Sequence, residues 1–206
     1  MNSPRTIEFW VFCGSTYSYL SVMRVERLAA VLGVEVLWRP FDLRPISQSL
    51  GMPQGPFRAN PPKLAYMWRD VERRAQRHGL PFAGNPPYPL ERPELLATRT
   101  AIYAAAHGWC GEFTRAVYRS AFAEGQMLGD EATVTTAIRG LGLDAKVVLD
   151  AARSDAITRK LSESTEEAQQ RGMFGSPSFV IGRELFWGDD RLEDALDWAT
   201  GQQPVA

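Results

Sequence analysis

The sequence predicts an α/β fold in which a βαβ opening and a ββα ending enclose a long all-helical insertion. Three observations carry this. Two runs of β-branched and aromatic residues, 6–12 and 34–40, flank a segment of helical spacing. The middle of the chain shows only helical periodicity. After Gly172 the strand signal returns in two short runs separated by Gly182-Arg183, followed by a last helix. Residues 1–44 and 172–206 are therefore expected to form one domain, with 45–171 as the helical insertion.

In chain order, Thr6 to Phe12 is too apolar to alternate, as expected of a central strand covered on both faces. A turn at Cys13-Gly14-Ser15-Thr16 opens a helix over Tyr17–Leu32, where Leu20, Met23, Leu28, Ala29 and Leu32 recur and Gly33 supplies a stop. Val34 to Pro40 is the second strand, parallel to the first by crossover handedness. Residues 44–62 carry Pro45, Pro53, Pro56, Pro61 and Pro62 with Gly51 and Gly55, and are read as one long irregular loop of functional length. A helix from Lys63 to about His78 ends at Gly79-Leu80-Pro81, and a second proline-rich break covers Asn85 to Pro89. Further helices are expected at 93–107, 109–123, 130–139 and 144–170. Ser178–Ile181 and Glu184–Trp187 form a hairpin, and Asp189-Asp190 supplies an N-cap for a helix to about Ala199. The terminal residues 201–206 are expected to fray.

Composition limits the function. The chain has 206 residues, 45% hydrophobic and 23% charged, the balance of an ordinary globular protein. With 23 basic and 24 acidic residues the net charge is −1, so no field recruits nucleic acid or an anionic membrane. No apolar stretch approaches the roughly 18–20 residues of a membrane span. The first residues lack a secretory signal, so the expected location is cytoplasmic. Two distant cysteines, Cys13 and Cys110, and two histidines, His78 and His107, argue against a metal site, a disulfide framework or a histidine triad. Both histidines are read as partners of helix C-termini, and Cys13 as a small apolar core residue.

Two local features could carry chemistry. At the corner where the first strand hands over to its helix, the Ser15 hydroxyl and nearby N–H groups can stabilise an anion, although Ser15 or Thr16 serves equally well as a helix cap. Gly175-Ser176-Pro177-Ser178 places Pro177 at the first residue of a strand, where a missing N–H costs least. A cis Ser176-Pro177 bond would turn the Ser176 backbone groups outward toward an extended peptide, and an ordinary trans turn proline is the alternative.

These residues together resemble the thioredoxin fold. More closely, the chain resembles the family of 2-hydroxychromene-2-carboxylate isomerases and kappa-class glutathione transferases, which carry a helical domain inside that fold. The resemblance rests on Gly14 to Leu20, on Pro40-Phe41-Asp42-Leu43, and on Lys63 with Tyr66, Asp70 and Arg73. It rests also on Gly79-Leu80-Pro81 and, most specifically, on Phe174 to Val180 leading to Phe186 to Leu192. In related disulfide oxidoreductases the turn holds Cys-x-x-Cys, whereas Ser15-Thr16-Tyr17-Ser18 has hydroxyls at both positions, so dithiol chemistry is excluded there.

The resemblance implies glutathione as cofactor. Ser15 would stabilise its thiolate, the Ser176 backbone beside Pro177 would hold the cysteinyl part, and Trp187, Gly188, Asp189 and Asp190 its γ-glutamyl end. Asp190 or Asp189 is the partner for the ammonium, the other being left to cap. Arg58, Asn60 and Lys63 would face a small aromatic carboxylate, while Tyr66 and Asp70 are read as packing and surface residues. The implied activity is glutathione-dependent cis–trans isomerisation of an aromatic 2-oxo acid in aromatic degradation. The alternatives are a kappa-type transferase or peroxidase and a non-catalytic binding module. A homodimer is also implied. Two departures from the family pattern stand out: Thr16 replaces a usual proline, and Phe12-Cys13 replaces an acidic residue at the strand end.

Overall fold

The computed structural model describes residues 5–92 and 94–201. Its four-stranded sheet has the order β2-β1-β3-β4. Strand β1 (Arg5–Val11) runs parallel to β2 (Val34–Pro40) and antiparallel to β3 (Ser178–Ile181), which pairs antiparallel with β4 (Glu184–Trp187). Phe9 of β1 stands opposite both Trp38 and Phe179.

Strand β1 carries buried apolar residues on both of its faces. Ile7, Phe9 and Val11 enter one buried cluster, and Trp10, followed by Phe12, enters another. The first cluster continues without a break from the sheet through Tyr19, Leu20, Leu192 and Leu196 into Met67, Phe113, Tyr118 and Phe122 of the helical segment. Tyr19 and Phe122 stack at 4.1 Å between centroids. Each such buried ring contributes about 1.5–3 kcal/mol.

The opening crossover holds two short helices, α1 (Ser18–Val22) and α2 (Val25–Val31), in place of the single helix expected over Tyr17–Leu32. The break falls at Arg24, whose backbone leaves the helical region at φ −122°. Its buried guanidinium donates to the Leu20 carbonyl, to Glu193 and to the Asp189 carbonyl.

The expected long loop at 44–62 is also overturned. This stretch contains most of α3 (Leu43–Ser49), all of α4 (Gly55–Arg58) and the start of α5 (Pro61–Arg77). Asp42 caps α3 by accepting from the Arg44 N–H at 2.9 Å, and Asn60 caps α5 by accepting from the Lys63 N–H at 3.1 Å. Pro45, Pro56, Pro61 and Pro62 lie in first turns, where the missing donor costs nothing and the fixed φ favours the helix.

Helices α6 (Leu96–Ala105), α7 (Cys110–Glu124) and α8 (Glu131–Gly140) follow the expected pattern, though Pro93, the expected start of the first of them, lies outside the described residues. The segment expected as one helix over 144–170 is two, α9 (Ala145–Ala152) and α10 (Asp155–Gln170). Ser154 takes an extended conformation between them and accepts from the Ile157 N–H at 3.3 Å. Past β4, a 3-10 turn (Asp189–Arg191) leads into α11 (Leu192–Thr200). Of the expected frayed end, 202–206 lie outside the described residues. Among the described residues no helix is long and apolar enough to cross a membrane.

Candidate active site

The site forms where β1 meets the 175–177 segment. The Ser15 N–H donates to the Phe12 carbonyl at 3.0 Å, closing the turn. From α7, the Tyr118 hydroxyl lies 3.1 Å from the Phe12 carbonyl oxygen and 2.9 Å from that of Ser15. Burial raises the Tyr118 hydroxyl well above its ordinary pKa, so it remains a donor.

Ser15 directs its hydroxyl across the sheet end to the Ser176 carbonyl, 2.7 Å away. The Ser176-Pro177 bond is cis. Ser176 Oγ is buried, accepts from the Phe12 N–H at 2.9 Å and lies 2.9 Å from Ser18 Oγ. Both hydroxyl positions of the turn, Ser15 and Ser18, thus converge on Ser176. Of the two capping readings, Ser15 keeps one long cap-type bond and Thr16 none. The Ser18 N–H reaches Ser15 Oγ only at 3.4 Å, and Thr16 Oγ1 donates to the Met67 sulfur. Because α1 ends at Val22, its dipole is short.

On one flank, the Tyr17 hydroxyl donates to Asp70 Oδ2 at 3.0 Å, so Asp70 on α5 is more than a surface residue. Burial followed by the charge of Asp70 raises the Tyr17 hydroxyl pKa, again keeping it protonated. The Tyr17 ring lies 6.4 Å from that of Phe57, over which Lys63 Nζ sits at 5.6 Å. Lys63 is thereby linked to the turn through two rings. Asn60 spends its side-chain oxygen on capping α5, and Arg58 is exposed at the end of α4. Tyr66 is exposed, with the Arg73 guanidinium 5.6 Å from its ring.

On the other flank, the Gly188 N–H donates to the Pro177 carbonyl at 3.0 Å. Gly188 adopts φ +110°, a conformation that favours glycine, and a Cβ there would displace the exposed Asp190 carboxylate, whose Oδ1 lies 2.4 Å away. The expected Asp189 cap is overturned: its carboxylate points inward, accepting from Arg74 Nε at 2.7 Å and ion-pairing with Arg74 Nη2 at 2.5 Å. Burial raises the Asp189 carboxyl to about 6, outweighing Arg74 and Arg24. Asp190 is not the cap either; its carboxylate lies 3.4 Å from Arg191 Nη2 and its side chain is 52% exposed, which makes it the more accessible carboxylate of the pair. Trp187 is half-exposed and packs edge-on against Phe174 at 4.8 Å.

Several residues that build this region carried no local signal. Arg74 and Tyr118 lie far in sequence from the groups they bind, as does Arg24 from Asp189 and Glu193. Phe57 sat inside a stretch read as loop. Glu91 is a further case: it is buried, accepts from the Thr98 N–H at 2.7 Å and from Thr98 Oγ1 at 2.6 Å, and burial raises it to about 7. Cys13 is buried as expected, its thiol raised well above the ordinary value by burial and then by Glu91. His78 and His107 lie at the ends of α5 and α6, and the Nδ1 of His107 is 2.7 Å from the Tyr103 carbonyl. A surface cavity of about 480 Å³ bordered by Arg92, Arg99, Asp130 and Arg153 shares no residue with this site.

The profile of the DSBA-like thioredoxin domain matches residues 6–197. The 2-hydroxychromene-2-carboxylate isomerase of Sphingobium xenophagum is 28% identical over 189 residues, covering 92% of this chain and 95% of that protein. The protein of the same name from Pseudomonas sp. (strain C18) is 27% identical over 97% of this chain and 92% of its own. A solved 2-hydroxychromene-2-carboxylate isomerase superposes with a TM-score of 0.83 at 27% identity, covering 96% of this chain and 95% of that one. The resemblance read from the motifs therefore extends over nearly the whole chain.

Proposed function

The chain belongs to the DSBA-like thioredoxin domain family, and from that premise we propose that it is a glutathione-dependent cis–trans isomerase of an aromatic 2-oxo acid, of the 2-hydroxychromene-2-carboxylate type. The observation that carries this is the Ser15 hydroxyl just beyond β1, facing the Ser176 carbonyl at 2.7 Å, in a Ser15-Thr16-Tyr17-Ser18 segment with hydroxyls where related oxidoreductases carry Cys-x-x-Cys. Such a turn has lost its own redox thiols and kept a donor where a sulfur anion would need one.

The donor set fits glutathione. Ser15 supplies a hydroxyl for the sulfur, and the Ser176 backbone beside Pro177 offers polar groups to an extended peptide. Asp190 presents an exposed carboxylate for the α-ammonium, over a Gly188 that leaves it room. Glutathione, when bound, supplies a thiolate whose reversible addition converts a conjugated double bond into a freely rotating single bond. Lys63 and Arg58 are the cations for the substrate carboxylate, with the Asn60 amide nitrogen beside them and Phe57 as an aromatic wall. Ser15 holds negative charge at the sulfur, and Lys63 offsets charge developing on the substrate oxygen. In another protein of this fold, the disulfide reductase DsbM of Pseudomonas aeruginosa, the structure was solved with GSH. We further propose the two-part domain division at 44/45 and 171/172, a homodimeric state and a cytoplasmic location.

The test is turnover of 2-hydroxychromene-2-carboxylate with and without glutathione, read with product mass. Glutathione-dependent isomerisation that falls at least about a hundredfold in Ser15→Ala is expected, the scale of losing one oxyanion donor. Activity without glutathione, or full activity in Ser15→Ala, overturns the reading. A stable glutathione adduct or oxidised glutathione indicates a transferase or peroxidase instead.

A further inference from the structure

Asp70 and Arg74 stand one turn apart on α5 and hold opposite ends of the candidate site. Asp70 accepts from the Tyr17 hydroxyl at 3.0 Å, two residues beyond Ser15. Arg74 grips Asp189 with Nε at 2.7 Å and Nη2 at 2.5 Å, immediately before Asp190. Residues i and i+4 lie side by side on a helix, about 5–6 Å apart between Cβ atoms. One turn of α5 therefore ties together, from the helical side, the Ser15 corner and the Gly188–Asp190 corner, which the Ser176-Pro177 carbonyls join from the sheet side.

The second anchor is unusually firm. Asp189 is only 3% exposed, and its carbonyl also accepts from the buried Arg24 at 3.2 Å. A carboxylate so enclosed is costly unless paired, so the Arg74 contact is made whenever Asp189 is ionised. Arg74 itself points to Asp189, not to the exposed side of Asp190.

We propose that Arg74 is a positioning residue which, acting through Asp189, fixes the distance from Ser15 to the Asp190 carboxylate, so that α5 selects thiols by the length and charge of their amino-terminal arm. This inference rests on the glutathione reading and deepens it: the preferred thiol is one carrying an ammonium a full γ-glutamyl unit from its sulfur-bearing residue. Cysteinylglycine, which ends at the cysteinyl amine, cannot use the arrangement.

The experiment compares ligand-induced thermal stabilisation of wild type and Arg74→Met by glutathione and by cysteinylglycine, each converted to an affinity by linkage. In Arg74→Met, glutathione affinity is expected to fall by about tenfold or more, while cysteinylglycine affinity changes by less than about twofold. An equal loss for both thiols, the result of a merely structural role, overturns the inference, as does no loss for either. No stabilisation of wild type by glutathione overturns the glutathione reading and this inference with it, whereas wild-type binding with an unselective Arg74 effect removes this inference alone. Should Arg74→Met not fold, Arg74→Lys carries the same comparison, with a smaller loss expected, confined to glutathione.

Discussion

The Tyr118 hydroxyl of α7 lies 2.9 Å from the carbonyl oxygen of Ser15, so a helix from the middle of the chain braces the turn that presents the Ser15 side chain. Tyr118→Phe keeps the ring packing and removes this tie and the one to Phe12. The Phe12 carbonyl keeps the Ser15 N–H, so the Ser15 carbonyl is the acceptor that loses its partner, at about 1–3 kcal/mol. A lower Tm is expected, at about 2–4 °C per kcal/mol for a chain of this size, together with weaker stabilisation by glutathione. An unchanged melt and unchanged affinity would show that the brace contributes nothing.

Ser176→Ala tests the other side of the corner. The buried Ser176 Oγ accepts from the Phe12 N–H and pairs with Ser18 Oγ. Its loss orphans a backbone donor, for about 1–3 kcal/mol of destabilisation by urea unfolding. A midpoint equal to wild type would mean that another group takes over the Phe12 N–H.

Glu91 makes stability depend on pH in a stated direction. Its folded pKa is raised to about 7 from an ordinary 4.5 by burial, so between those values the folded state binds more protons than the unfolded one. The stability it contributes is complete below about pH 4.5 and is lost as pH rises through about 7. Glu91→Gln keeps hydrogen-bonding capacity toward Thr98 without the ionisation. The variant should therefore lose less stability than wild type between pH 4.5 and 7 in parallel chemical denaturation. Identical slopes would refute the assignment.

Gly175→Ala should disturb the rim of the site. A Cβ at this position would lie 2.1 Å from Trp187 Nε1, so the indole must shift away from Phe174. Because Trp187 is half-exposed, the cost is expected to fall below the about 1–3 kcal/mol of overpacking a core. A lower Tm with an altered tryptophan emission spectrum is expected, and an unperturbed spectrum would count against a fixed Trp187.

The strands, the hairpin and the Ser176-Pro177 junction were legible because each rests on residues adjacent in sequence: the β-branched and aromatic run of β1, the Gly182-Arg183 turn, a proline at a strand start. The prolines of 44–62 misled because the same ring that breaks a helix interior favours its first turn, and Asp42 and Asn60 are the caps that decide between the two. Ser154 is likewise a cap hidden by apolar periodicity that continues on both sides. Of the site, Ser15, Ser176 and Asp190 could be read from motifs. The inward turn of Asp189 could not, since its cause is Arg74, 115 positions earlier.

A hydroxyl has one hydrogen to give, and Ser15 rests with that hydrogen committed to the Ser176 carbonyl. Any sulfur arriving at the corner must outcompete an amide oxygen for it. A protonated thiol is the poorer acceptor and loses that contest; an anion wins it, because hydrogen bonds to ionised acceptors are the stronger kind. On the glutathione reading, the turn would therefore favour sulfur in its anionic form over the neutral thiol.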